Sequence, residues 1–121
     1  MSLGGKMARH LILELWGCNE KAIDSENTIK DVLKRCIDTF NDILIDIKIH
    51  KFNPQGLSAV AMLNGSFMSI HSWPEVGYVA VDIYTTSKDA DLNKSAIIVK
   101  ESLMPEKIQA LNFERESDQG I

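Results

Sequence analysis

The chain has 121 residues, 45% of them hydrophobic and 25% charged, with a formal net charge of -4 and a pI of about 5.3. A chain of this length forms one domain and buries roughly two thirds of its unfolded surface, which excludes disorder at this composition. The acidic balance, with no run of Lys and Arg, argues against a nucleic-acid surface, and no apolar stretch approaches the roughly 18 residues that cross a bilayer.

Residues 1–6 lack the apolar centre of a signal peptide and read as a tag remnant, with Met7 as the natural start. Cys18 and Cys36 are too few to staple a secreted domain, so the expected location is the cytoplasm. Leu11, Leu13 and Leu15 alternate with His10, Ile12, Glu14 and Trp16, a strand that ends at Gly17. From Glu26 to Phe40 the period becomes helical, with Ser25 as cap and Cys36 on the apolar stripe, a core position rather than a reactive thiol. Ile43, Ile45, Ile47 and Ile49 predict a second strand covered on one side, broken by Asn53-Pro54-Gln55-Gly56. Leu57–Leu63 and Phe67–Trp73 form a hairpin at Asn64-Gly65, a turn pair that favours positive φ. Pro74–Gly77 is a turn, Tyr78–Thr85 a fifth strand, Asp89–Met104 a helix stopped by Pro105, and Lys107–Phe113 a last strand before a flexible tail over residues 114–121. The helix should bury Leu92, Ala96, Val99 and Leu103. This order implies a single α+β domain over residues 1–121, a two-layer sandwich with a largely antiparallel sheet and two helices on one face.

The residues with chemistry lie between Phe52 and Thr86. His71 stands five residues from Ser66, and a hydroxyl with a nearby imidazole is the basic arrangement of an activated nucleophile. Spacing alone equally allows a strand histidine that satisfies hydrogen bonds. Phe52, Trp73 and Tyr78, beside turns, fit either a ligand site or the edge of a core. His10, His50 and His71 sit in separate segments without a metal-ligand cluster, so no metal is expected, and no glycine-rich phosphate loop is present.

The run Ser69-Ile70-His71-Ser72-Trp73-Pro74-Glu75, with Ser66 and Ser58 upstream and His10 to Cys18 as the opening strand, resembles the prokaryotic S-adenosylmethionine decarboxylase family from about Arg9 to Leu111. The resemblance implies that Ser66 attacks the carbonyl before it, so that the chain is cut and a pyruvoyl cofactor forms from Ser66. That group would hold the substrate amine as a Schiff base and take up electrons as carbon dioxide leaves. It further implies that Ser58 and His71 assist processing, that Phe52 and Trp73 hold the adenine, and that Glu75 accepts the ribose hydroxyls. S-adenosylmethionine or a related adenosine ligand, and a homodimer with sites near the subunit interface, follow as expected partners. No nucleic acid or membrane is expected.

Three positions depart from the family pattern. Gly65 and Phe67 stand where the family has Glu and His, and Thr86 where it has a catalytic cysteine that protonates the product. An alcohol is a poor general acid beside a thiol with a pKa near 8.5, and Phe67 is expected to remove a polar neighbour and narrow the pocket. Three readings therefore stand: decarboxylation of S-adenosylmethionine for spermidine synthesis, a catalytically impaired relative that binds adenosine ligands or a partner subunit, and a decarboxylase of another amino acid.

Overall fold

Alternation of apolar residues sets six strands, and the structure, a computed structural model, describes them within residues 8–115. The elements are β1 (Ala8–Trp16), α1 (Glu20–Ile23), α2 (Glu26–Ile37), β2 (Leu44–Lys51), β3 (Leu57–Leu63), β4 (Ser66–Trp73), β5 (Tyr78–Thr85), α3 (Leu92–Leu103) and β6 (Lys107–Arg115). A 3-10 turn at Pro74–Val76 links β4 to β5. The sheet order is β2-β3-β4-β5-β1-β6, with every pairing antiparallel. The helices share one core with Leu11, Leu13 and Leu15 of β1, Met68 and Ile70 of β4, and Val79, Val81 and Ile83 of β5. The expected α+β sandwich is the observed one.

Ser25 caps α2 by accepting from Thr28 N–H at 3.2 Å, and Asp91 caps α3 by accepting from Lys94 N–H at 3.0 Å, so α3 starts later than Asp89. Its buried side is rotated from the expected stripe. Ser95 and Ile98 are buried and Ala96 only partly so, because the Ser95 hydroxyl lies 2.6 Å from Thr39 Oγ1 against α2. Cys36 is fully buried beside Ser95, and burial pushes its thiol up to about 12.

Three further expectations are corrected. In β2 a bulge between Leu44 and Asp46 resets the alternation, leaving Ile43 and Ile45 exposed while Ile47 and Ile49 pack against the core. The Asn64-Gly65 hairpin exists, but neither residue has positive φ. Asn64 N–H donates to Ile43 O and Gly65 N–H to Asp42, so the turn is held from outside. Glu114 and Arg115 continue β6 beside Ala8 and Arg9 rather than fraying. The expected tag over residues 1–6, Met7 and residues 116–121 of the expected tail lie outside the described residues. Among the described residues no helix is long and apolar enough to cross a membrane.

Candidate active site

β4 joins two chemically distinct places. At its C-terminal end Phe52, Ser58, His71, Trp73 and Glu75 line a cavity of about 380 Å³ together with the 53–57 segment. Ser58 and His71 are register partners across β3 and β4, and their side chains meet at 2.7 Å between Oγ and Nδ1. Phe52 and Trp73 are each nearly half exposed, and Trp73 leans on Tyr78 with centroids 5.4 Å apart. Glu75 lies one residue into the 3-10 turn, on the rim. Two aromatic faces and an exposed carboxylate suit a flat base carrying a diol.

The end of α1 supports this pocket. Asp24 takes the Lys51 ammonium and the Gly56 N–H, the latter at 2.9 Å, which ties down the loop carrying Phe52. Hydrogen bonds from Lys51 and Gly56 hold the Asp24 carboxyl below its ordinary value. Ser72 donates to Ile23 O at 2.6 Å and accepts from Leu57 N–H at 3.1 Å, joining β3, β4 and α1. Gly56, at φ +101°, supplies the backbone turn that brings this loop against the Ser72 carbonyl.

Ser66 stands at the other end of β4. Five residues separate it from His71, about 17 Å at ~3.4 Å per residue, and the odd spacing puts the two side chains on opposite faces. Ser66 is buried, donates to Asp42 Oδ2 at 2.7 Å and lies 2.8 Å from Thr85 Oγ1. A hydroxyl has one proton, so Thr85 is the donor to Ser66 when Asp42 takes that proton. The same Oδ2 accepts the Gly65 N–H at 2.9 Å, and Oδ1 accepts the Ile43 N–H at 2.7 Å. Burial pushes the Asp42 carboxyl up, but the bonds from Ser66, Ile43 and Gly65 outweigh it and leave it below the ordinary value, ionised at neutral pH.

The Gly65 carbonyl, the group next to Ser66 in the chain, accepts from both the N–H and the Oγ1 of Thr86, each at 2.9 Å. Two donors converging on one carbonyl oxygen form the arrangement that stabilises a developing oxyanion. A Cβ at position 65 would overlap Thr86 Oγ1. Phe67 is not in the cavity; it stacks on Tyr84 at 5.5 Å, with His10 at its edge, on the open side of the sheet. Within one chain Phe67 therefore does not narrow that cavity.

Asp42, Thr85, Asp24 and Lys51 were not legible as site residues. Asp42 lies 24 residues before Ser66 in a connecting loop, and no local pattern links them. Cys18 is also buried, its thiol pushed up to about 11 by that burial.

Residues 9–116 match the family model described as S-adenosylmethionine decarboxylase. A protein named S-adenosylmethionine decarboxylase proenzyme from Methanococcus maripaludis (strain C7) is 38% identical over 110 residues, 91% of this chain and 90% of that one. One of the same name from Thermomicrobium roseum is 32% identical over 110 residues, covering 90% and 93%. The crystal structure of the adenosylmethionine decarboxylase from Aquifex aeolicus VF5 superposes with a TM-score of 0.84 at 26% identity, covering 93% of both chains. A Trypanosoma brucei AdoMetDC monomer shares the fold alone, with a TM-score of 0.60 at 16% identity, over 86% of this chain and 45% of that one. The family match spans almost every described residue, and the chain belongs to the S-adenosylmethionine decarboxylase family.

Proposed function

We propose that this chain decarboxylates S-adenosylmethionine, using a pyruvoyl group made from its own Ser66 after cleavage of the Gly65–Ser66 bond, and that it supplies spermidine synthesis in the cytoplasm. The observation that carries this reading is the cavity that gathers Phe52, Trp73, Glu75 and the Ser58–His71 pair. The far end of β4 fits formation of the cofactor, because Ser66 is buried beside an ionised carboxylate and the carbonyl it must attack is held by two donors. A pyruvoyl carbonyl supplies an electron sink for the electron pair released with carbon dioxide.

The chain's own residues do the rest. Phe52 and Trp73 hold the adenine, Glu75 accepts the ribose hydroxyls, and Ser58 orients the His71 ring so that its free nitrogen can hold or move a proton. The two ends of β4 are too far apart to act together within one protomer. A homodimer brings the two ends closer. The sheet face without helices exposes Val60, Met62, Phe67, Leu111 and Phe113, and a two-fold contact between two such faces with strands reversed sets the Ser66 end of one protomer near the His71 end of the other.

A second reading, a relative that binds adenosine ligands without turning them over, is favoured by Thr86 together with two cysteines that are both buried. Carbon dioxide release from carboxyl-labelled S-adenosylmethionine, measured beside Ser66→Ala, separates the two. The proposed function requires release that the Ser66→Ala protein lacks; ligand binding without release supports the second reading.

A further inference from the structure

We propose that Asp42 is the general base that activates Ser66 for cutting its own chain, a role that rests on the self-cleavage reading above. The Ser66 hydroxyl needs a proton acceptor, and the Asp42 carboxylate sits 2.7 Å from it. Within the protomer His71 is on the other face of the sheet, engaged with Ser58, and the Ser66 hydroxyl points to the core side, away from the face that the proposed dimer buries. Thr85 is neutral, and its hydroxyl already accepts the Ser87 N–H at 3.0 Å. Asp42 also grips the Gly65 N–H with the same oxygen, so one atom fixes both the residue that carries the attacked carbonyl and the nucleophile that follows it.

The step balances without any co-reactant. Ser66 Oγ bonds to the Gly65 carbonyl carbon while its proton passes to Asp42 Oδ2. The carbonyl electron pair moves onto the oxygen held by Thr86 N–H and Oγ1. Collapse of this adduct breaks the bond from Gly65 C to Ser66 N, and Asp42 returns the proton to that nitrogen. The product is an ester with a free amine, an isomer of the starting chain with no change of oxidation state.

The ester is the direct readout, because hydroxylamine cleaves it and leaves Gly65 as a hydroxamate whether or not later steps proceed. Full-length wild type, Asp42→Asn, Asp42→Ala and Ser66→Ala are incubated with and without hydroxylamine and followed by intact mass, with folding checked by circular dichroism. Asp42→Asn should lower the rate of ester capture by about 10²- to 10⁴-fold, the range for a positioned general base. Added formate should restore part of the rate in Asp42→Ala but not in Ser66→Ala, and this arm serves if Asp42→Asn fails to fold. Ester capture at the wild-type rate in folded Asp42→Asn overturns the base while leaving self-cleavage intact, as does Asp42→Ala that is slow and indifferent to formate. Wild type that yields neither ester nor fragments removes the self-cleavage reading, and the base with it.

Discussion

Gly65 and Thr86, both expected to depart from the family pattern, meet in the structure. The Thr86 hydroxyl reaches the Gly65 carbonyl through the space a side chain at 65 would fill. Gly65→Ala should therefore push that hydroxyl aside and slow self-cleavage by about 10²-fold, the lower end of the cost of one oxyanion donor. A time course of fragment appearance checks this, and an unchanged rate contradicts it. Thr86→Cys should act in two directions. A thiol is a weaker hydrogen-bond donor than an alcohol, so cleavage should slow. Once cut, the variant should give more decarboxylated product per carbon dioxide released, because it gains a proton donor with a usable pKa. Equal product ratios in both proteins would show that another group already delivers the proton.

The loop between β2 and β3 is the element on which ligand binding depends. Asp24 holds it through Lys51 and the Gly56 N–H, and Phe52 N–H closes it on the Gly56 carbonyl at 2.8 Å. Asp24→Asn should weaken binding of methylthioadenosine on the Ser66→Ala background by calorimetry, while Asp24→Asn with Ser66 intact should cut itself at the wild-type rate. Since the folded-state pKa of Asp24 lies below its ordinary 3.8, its contribution to stability is present above 3.8 and lost as pH falls through the folded value. The melting-temperature advantage of wild type over Asp24→Asn should accordingly be constant above that pH and vanish below it; an advantage that persists in stronger acid would contradict the clamp. Trp73→Ala or Phe52→Ala should each weaken binding by about 5- to 150-fold, taking roughly 1–3 kcal/mol for one stacked base. The six strands and the two long helices were legible because their signals are local, whereas the four-residue α1 was not read. Alternation in β1, the Ser25 cap and the Asn64-Gly65 pair each lie within a few residues. The β2 bulge, the rotated face of α3 and the Asp42–Ser66 bond were not, because each is decided by residues distant in the chain: β3 pairing, Thr39 against Ser95, and a loop folded back on a hairpin.

The whole molecule is a sheet with helices on one side and an apolar, aromatic-rich face on the other, and it keeps its two chemical centres at opposite ends of one strand. The structure brings Ser58, His71, Trp73 and Glu75, expected in two different roles, to one cavity, and strand parity over the five residues from Ser66 to His71 sets Ser66 apart from them. Co-expression of Ser66→Ala chains with His71→Ala chains tests the proposed dimer. A mixed dimer carries one intact site, so activity should return where neither single variant has any; silence in mixed dimers shown to have formed would place both centres in one protomer. The most direct test of all is the intact mass of the wild-type protein over time. It should resolve into one fragment that ends at Gly65 and one that starts with a pyruvoyl group in place of Ser66, while Ser66→Ala stays whole. A wild-type protein that remains a single uncut chain after days across several pH values would contradict the account.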